Sequence, residues 1–369
     1  MSFMIIRSLE LMDYRNYEKA GVDFSEKINI FYGNNAQGKT NILEAIYLAG
    51  TTKSHRGTKD REIIRFDQNE AHIKMMVERN ESPYRIDMHL KKNKNKGIAV
   101  NGIPIRRASE LFGIVNVVFF SPEDLQIIKN GPGERRRFID SELCQLDRVY
   151  LNDIVNYNKI LQQRNQLLRD RRNIEDAENL LDVYDSQLVK FGKSIICLRE
   201  RFLKELDGLI RDIHRNLSGK KEELKVIYEK NVDGQDFEDE LFRSRERDFR
   251  TSMTNVGPHR DDICFSVNDG EKTIDLRKFG SQGQQRTAAM SLKLAEIDLV
   301  KIKTGESPVL LLDDVLSELD STRQTSLLDS ISDVQTFITC TGLDDFVNNR
   351  FHMDKIFYVE KGTITLKNC

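Results

Sequence analysis

Residues 33–40 read GNNAQGKT, a full match to GxxxxGK[ST]. The chemistry of such a loop is phosphate binding. Gly33 and Gly38 let the backbone wrap closely, so that successive N–H groups point inward. A helix opening near Lys39 adds the partial positive charge of its N-terminus. Asn34, Asn35, Ala36, Gln37 and Asn41 complete the expected cradle. Lys39 is placed to reach the β- and γ-phosphates of ATP, and Thr40 to offer its hydroxyl to Mg²⁺. The context supports the match, since the apolar run INIFY (28–32) precedes the loop and a helical pattern follows it.

Residues 309–314, VLLLDD, form an apolar strand pattern ending in two acids. Asp313 fits the acid that holds Mg²⁺ across from Thr40, directly or through water. Asp314 comes next, where a general base or water-orienting group belongs. Alone, the pattern reads equally well as a strand with an acidic turn. Between the two motifs lies SQGQQR (281–286), immediately before a helix predicted over 287–302. Ser281 and Gly283, with Gln284 beside them, make a second anion site at a helix start. A plain N-cap is the simpler reading of that stretch taken by itself. A single active site does not need two cradles, so the second is expected to serve another subunit's nucleotide. SELD (317–320) follows the acidic strand.

Three stretches must position these residues. Residues 1–135 are rich in β patterning: strands over 3–12, 28–32 and 116–120, a helix over 39–50, and antiparallel neighbours over 71–79 and 84–91. Asn101-Gly102 signals a hairpin. Residues 136–250 are helical. Ile154, Tyr157, Leu161 and Leu168 share a helical face. Leu181, Tyr184, Leu188, Phe191, Ile195, Leu198 and Phe202 form a heptad-like seam, broken at Glu205 and resumed at Leu209. Two antiparallel helices packed as a short coiled coil would bury it. LKVIYE (224–229) reads as a strand returning toward the first stretch. Residues 251–369 are α/β, with a hairpin around Asp269-Gly270, strands over 308–312 and 335–340, a helix over 322–333, and a last hairpin at Lys361-Gly362.

Composition sets the limits. The 369 residues carry 57 Lys and Arg against 59 Asp and Glu, a net charge of -2. A uniformly basic coat is excluded, so any polyanion site must be local. No apolar run reaches the ~18 residues that span a bilayer, and the N-terminus lacks a signal-peptide pattern. The five Cys are odd in number and never CxxC. A reduced cytoplasmic protein without a zinc cluster is expected. His259, in GPHRDD (257–262), has no second His or Cys at ligand spacing. It and Arg260 read either as part of the nucleotide region or as a turn set by Gly257-Pro258.

The order of phosphate loop, Ser-x-Gly-Gln signature, acidic strand and SELD resembles the ABC-type ATPase head. The helical interruption resembles the SMC plan, although residues 136–250 are far too short for an SMC arm and carry no CxxC hook. The chain is most similar to the RecF family of bacterial DNA replication and repair proteins. YRNY (14–17), KSHRG (53–57), FFSPEDL (119–125), GPGERRRFID (131–140), GPHRDD, SQGQQRT (281–287) and LLLDDVLSELD (310–320) all resemble family landmarks. The resemblance implies an α/β P-loop NTPase head of mixed sheets, interrupted by a helical arm. It implies an ATP-driven homodimer, with ATP between Lys39 of one subunit and Ser281 of the other. It also implies slow hydrolysis, because Asp314 stands where wider ABC heads usually carry Glu. The implied partners are double-stranded DNA and its junctions with single strands, RecR, and functionally RecA and RecO. Neither a switch His nor a Gln-loop residue is assigned, although Gln126 lies near that region. The readings set against this one are an SMC-like head working with a nuclease or structural partner, an ABC transporter ATPase, and a DNA-binding module with a dead ATPase.

DNA binding has independent support. Residues 84–107 hold Arg85, Lys91, Lys92, Lys94, Lys96, Arg106 and Arg107 against Asp87, or 7 - 1 = +6. Residues 296–333 hold nine acids against three bases, or -6. That asymmetry predicts a local phosphate-binding face. Lys53, Arg56, Arg135, Arg136 and Arg137 are further candidates. Arg136 and Arg137 would equally serve to buttress the arm. No base-reading motif is present, so backbone and shape recognition is expected.

Overall fold

A computed structural model describes residues 4–107, 110–170, 176–268, 270, 272–316, 319, 324–325, 327–328, 331, 333–342 and 353–367. Along the chain come β1 (Met4–Tyr14), β2 (Tyr17–Asp23), β3 (Ile28–Tyr32), α1 (Lys39–Thr51) and α2 (Asp60–Ile63). Next are β4 (Glu70–Arg79), β5 (Ser82–Lys91), β6 (Lys94–Val100), β7 (Ile103–Pro104) and β8 (Val117–Phe120). The helical stretch holds α3 (Leu125–Lys129), α4 (Pro132–Leu146), α5 (Arg148–Asp170) and α6 (Ala177–Leu217). Then follow β9 (Glu223–Glu229), α7 (Phe237–Arg243), α8 (Arg245–Thr251), β10 (Asp262–Asn268), β11 (Thr273–Asp275), α9 (Leu276–Phe279) and α10 (Gln282–Thr304). The chain closes with β12 (Val309–Asp313), β13 (Thr336–Cys340), β14 (Lys355–Glu360) and β15 (Thr363–Lys367). It divides into two compact units, Met1–Asp124 with Glu296–Cys369, and Leu125–Ala295.

The first unit is built on two six-stranded sheets. One runs β2-β1-β4-β5-β6-β7 and is antiparallel throughout. Its strands alternate, with Ala71, Ile73, Met75 and Val77 buried on β4 between exposed or half-buried neighbours. That pattern fits a sheet with one face on the core. The other runs β15-β14-β3-β13-β12-β8 and is parallel except for β15. Its central strands read INIFY, TFITC and VLLLD and are buried almost end to end, as parallel strands covered on both faces must be. Helix α1 packs against strands of both sheets and buries 11 of its 13 residues. Phe31 stacks on Phe357 at 5.0 Å, and Phe24 meets Phe337 edge-on at 4.8 Å.

The second unit carries the helices. Leu181, Leu188, Ile195 and Phe202 are buried on α6, with Tyr184, Phe191 and Leu198 half-buried, and α5 packs along it. The stripe does not stop at Glu205. It moves to Leu206, Ile210 and His214, all buried, because a straight helix of 3.6 residues per turn drifts against a 3.5 repeat. Strand β9 forms as its sequence predicts, but it pairs with β10 in a sheet ordered β11-β10-β9, inside this unit. It does not return to the first sheets. The unit thus takes in, besides the helices, β9–β11 and the start of α10.

The helix predicted over 287–302 starts earlier, at Gln282. The helix predicted over 322–333 and the SELD stretch fall largely outside the described residues. Among the described residues, no helix is long and apolar enough to cross a membrane.

Candidate functional site

The phosphate loop leaves the C-terminal end of β3, and Asp313 closes β12, with β13 between the two strands. Crevices at the carboxyl ends of parallel strands are where α/β sheets bind ligands. Both loop glycines are required by geometry. Gly33 has φ 150, and a Cβ there would lie 2.3 Å from the carbonyl oxygen of Val359. Gly38 has φ 115, and its Cβ would lie 2.6 Å from Asn16 Nδ2. A side chain at Gly33 would collide with the main chain, and one at Gly38 would strain the backbone and displace the Asn16 and Tyr17 side chains.

Lys39 is buried, and its Nζ donates to the carbonyls of Gly33 at 2.7 Å and Asn34 at 2.9 Å. Burial pulls its pKa below the usual lysine value, against the opposing fields of Asp314, Cys340 and Asp313. The ammonium therefore lies over its own loop, in the field of Asp314 and Asp313. Thr40 Oγ1 donates to Asp313 Oδ1 at 2.8 Å, bringing together two residues 273 positions apart. A hydroxyl and a carboxylate oxygen, both hard donors, form the kind of set that Mg²⁺ takes, with water completing the octahedron.

Thr339 is the residue sequence reasoning passed over. Its Oγ1 donates to the same Asp313 oxygen at 2.7 Å and accepts from the Asp314 backbone N–H at 3.0 Å. One hydroxyl thus fixes both acids. Asp314 has φ 54, the left-handed region. A non-glycine residue held there costs about 1–3 kcal/mol and is characteristic of sites whose surroundings over-determine the backbone. Nothing in the sequence signals this role, which comes from the register that sets Thr339 beside Asp313.

YRNY gains a physical role. Asn16 Nδ2 donates to Gln37 O at 2.8 Å, Asn41 Nδ2 donates to Asn16 Oδ1 at 2.8 Å, and the Tyr17 hydroxyl donates to Gly38 O at 2.9 Å. Arg15 makes a two-pronged contact with the buried Glu44 of α1, at 2.8 and 2.9 Å. From the other side, the Lys361 backbone N–H donates to Gln37 Oε1 at 2.8 Å. The loop is clamped by the β1–β2 turn and by the β14–β15 turn. In KSHRG, the His55 ring stacks on Phe119 of FFSPEDL at 3.8 Å, while Ser54 donates to Glu44 at 2.7 Å.

The signature stretch lies in the second unit. Ser281, Gln282 and Gly283 are exposed at the start of α10. The Gln284 N–H donates to Ser281 Oγ at 3.2 Å, and the Ser281 N–H donates to Gln284 Oε1 at 2.9 Å. This reciprocal pair is a capping box, as the N-cap reading of that stretch expects. Gln284 Nε2 also reaches Glu222 Oε1 at 2.8 Å.

The basic stretch separates into two kinds of residue. Lys91 pairs with Glu70 at 3.0 Å, and Lys96 pairs with Asp60 at 2.9 Å while donating to Thr52 O. Lys92, Lys94, Arg106, Arg107, Lys53 and Arg56 are exposed. Arg135 is buried, with two contacts to Asp262 at 2.6 and 2.9 Å. Arg136 donates to Asp261 O at 2.6 Å, and Arg137 is exposed beside Glu134. Gln126 is exposed on α3.

GPHRDD is a structural knot within the second unit. His259 Nδ1 meets the Tyr157 hydroxyl at 2.7 Å and Nε2 meets Thr254 O at 3.0 Å. Burial pushes the His259 pKa down to about 4. Arg260 also donates to Thr254 O, at 3.0 Å. Asp261 accepts from Arg199 at 3.0 Å and from Tyr228.

Comparison with known proteins matches residues 5–365 to the family described as RecF/RecN/SMC N terminal domain. The chain is 60% identical to the DNA replication and repair protein RecF of Agathobacter rectalis, over 98% of this chain and 99% of that one. It is 44% identical to the protein of the same name from Clostridium tetani, over 97% and 99%. Among solved structures, it is similar to the recombination mediator protein RecF-ATP in the RecFOR pathway. That match has a TM-score of 0.91, 35% identity, and coverage of 99% of this chain and 98% of that chain. The Smc head domain of Pyrococcus furiosus shares the fold at a TM-score of 0.57 and 18% identity, over 99% and 96%.

Proposed function

This chain belongs to the RecF family, and on that premise we propose that it is an ATP-gated DNA-binding protein of replication and recombinational repair. The observation that carries the reading is the meeting of Thr40 with Asp313 beside the glycine-framed loop of Lys39. Residues 33–41 cradle the phosphates of ATP, and Lys39 swings from its loop carbonyls to the β- and γ-phosphates. Thr40 and Asp313 would hold Mg²⁺, which would offset phosphate charge. Asp314 orients the attacking water. Its carboxylate is one methylene shorter than the glutamate of wider ABC heads, which favours slow turnover and a switch over a motor.

Ser281, Gly283 and Gln284 serve the nucleotide of a second copy. The exposure of Ser281 and Gly283 at a helix start supports that reading. ATP then acts as the bond between two copies, which together hold double-stranded or junction DNA in the cytoplasm. Residues 136–250 serve as the arm inserted into the head. RecR is the direct partner, and RecA loading with RecO the outcome.

Sedimentation of wild type, Lys39→Met and Ser281→Arg, with and without ATP and duplex DNA, tests this. Wild type dimerises with ATP and retains DNA, whereas both variants stay monomeric. Dimerisation of Ser281→Arg with ATP would remove the sandwich from the account.

A further inference from the structure

We propose that Glu70, His72 and His89 form a binding site for a divalent transition-metal ion, with Zn²⁺ the best chemical fit. The three side chains offer two imidazole nitrogens and one carboxylate oxygen, all within 4.8 Å of one another. They come from β4 and β5, where His72 stands directly opposite His89 in the antiparallel register. Glu70 lies two residues from His72 on the same strand, so it shares that face. The imidazoles stack with centroids 3.9 Å apart and planes 24° apart, and His89 Nε2 lies 2.6 Å from Glu70 Oε2.

Donors bound to one tetrahedral Zn²⁺ at ~2.0–2.1 Å sit about 3.3 Å from each other. The 2.6 Å contact and the 4.8 Å limit lie on either side of that value, so closing the set calls for rotating the imidazoles out of their stack. The backbone beneath is already fixed, because β4 and β5 are interior strands of a six-stranded sheet. Two imidazoles and a carboxylate suit Zn²⁺, Ni²⁺ or Cu²⁺ and disfavour Mg²⁺, so this set differs in kind from Thr40 and Asp313. Both histidines also line a cavity of about 560 Å³ on this sheet, bordered by Lys19 and Asp87. That leaves room for a water as the fourth ligand. The competitor is Lys91, whose ammonium holds the other Glu70 oxygen at 3.0 Å.

The test is equilibrium dialysis of the untagged full chain against Zn²⁺, with bound metal read by a chromogenic indicator. Wild type, a His72→Gln/His89→Gln double variant and Lys91→Gln are compared, each with its fold checked by circular dichroism. Wild type is expected to bind one ion per chain even in millimolar Mg²⁺. The double variant removes two of the three ligands and should lose this binding altogether. Lys91→Gln should tighten binding severalfold. Equal binding by wild type and the double variant, or no binding by wild type at about 100 μM free Zn²⁺, a level that well-formed imidazole sites exceed easily, overturns the site. Unchanged or weaker binding in Lys91→Gln removes Glu70 from the ligand set and overturns the three-residue assignment.

Discussion

At the scale of single residues, one threonine hydroxyl sets the geometry of two acids. Thr339 Oγ1 donates to Asp313 Oδ1 and accepts from the Asp314 N–H, so it holds that oxygen and the φ 54 backbone together. Thr339→Val keeps the shape and removes both bonds. It should leave the fold intact and weaken Mg²⁺-dependent ATP binding about tenfold, the usual cost of losing a supporting hydrogen bond behind a metal ligand. Titration with a fluorescent ATP analogue, with and without Mg²⁺, checks this, and an unchanged Mg²⁺-dependence would show that Thr339 is not positioning Asp313. The strand–turn–helix around GNNAQGKT was legible because its pattern is local: an apolar strand, two glycines in a tight turn and a helix at fixed spacing. Thr339 was not, because its role depends on a strand pairing that no local pattern announces.

At the scale of elements, the second unit is held by buried arginines. Arg199 on α6 donates to the Tyr150 hydroxyl, Pro258 O, Asp261 and Asp140, all at 2.7 to 3.0 Å. Arg164 on α5 is fully buried between Asp185 and Asp248. Breaking such a pair from one side strands a buried carboxylate, so Arg199→Ala should cost about 3–5 kcal/mol. Urea unfolding would read it, and a loss below about 1 kcal/mol would mean the network is no stronger than a surface pair. The same knot predicts a pH effect. The pKa of His259 is near 4 in the fold and about 6.5 in the unfolded chain. The unfolded state binds the extra proton between those limits, so this contribution is fully present above pH 6.5 and is lost as pH falls toward 4. The loss totals about 3 kcal/mol. It should be missing from the pH dependence of His259→Gln, and equal slopes for the two proteins would refute it. Periodicity alone told where α6 buries its stripe down to Phe202. The arginines went unread because charged residues in a helix normally mark its solvated face.

At the scale of the whole molecule, near-neutral net charge conceals opposed patches, and the structure redistributes them. The +6 of residues 84–107 counted only one stretch of chain, whereas folding brings Glu70 to Lys91 and Asp60 to Lys96. The exposed Lys92, Lys94, Arg106 and Arg107 are then the better candidates for phosphate. Lys92→Glu/Lys94→Glu should lower the slope of log affinity for duplex DNA against log salt by about 2, near 0.9 per lost contact. Lys96→Gln should leave that slope unchanged and lower the unfolding midpoint instead. Filter binding over a salt series separates the two, and an equal loss of slope in both variants would contradict the division made here.

The sequence alone determined the family, from the order of its short motifs along the chain, and the strands and helix that frame GNNAQGKT and VLLLDD. It also determined most strands and the long helix, since burial on one face writes a period of two or of about 3.6 into the residues. Only the tertiary structure decided which distant side chains meet. It set Thr339 against Asp313, Asn16 against Gln37, Arg199 against Asp261, and His72 beside His89. It also decided which lysines of a basic run stay exposed and which are spent on a neighbouring carboxylate. The physical reason is common to all of these. A hydrogen bond or ion pair depends on a separation of about 3 Å in space, and that separation is fixed by strand register and helix packing rather than by distance along the chain.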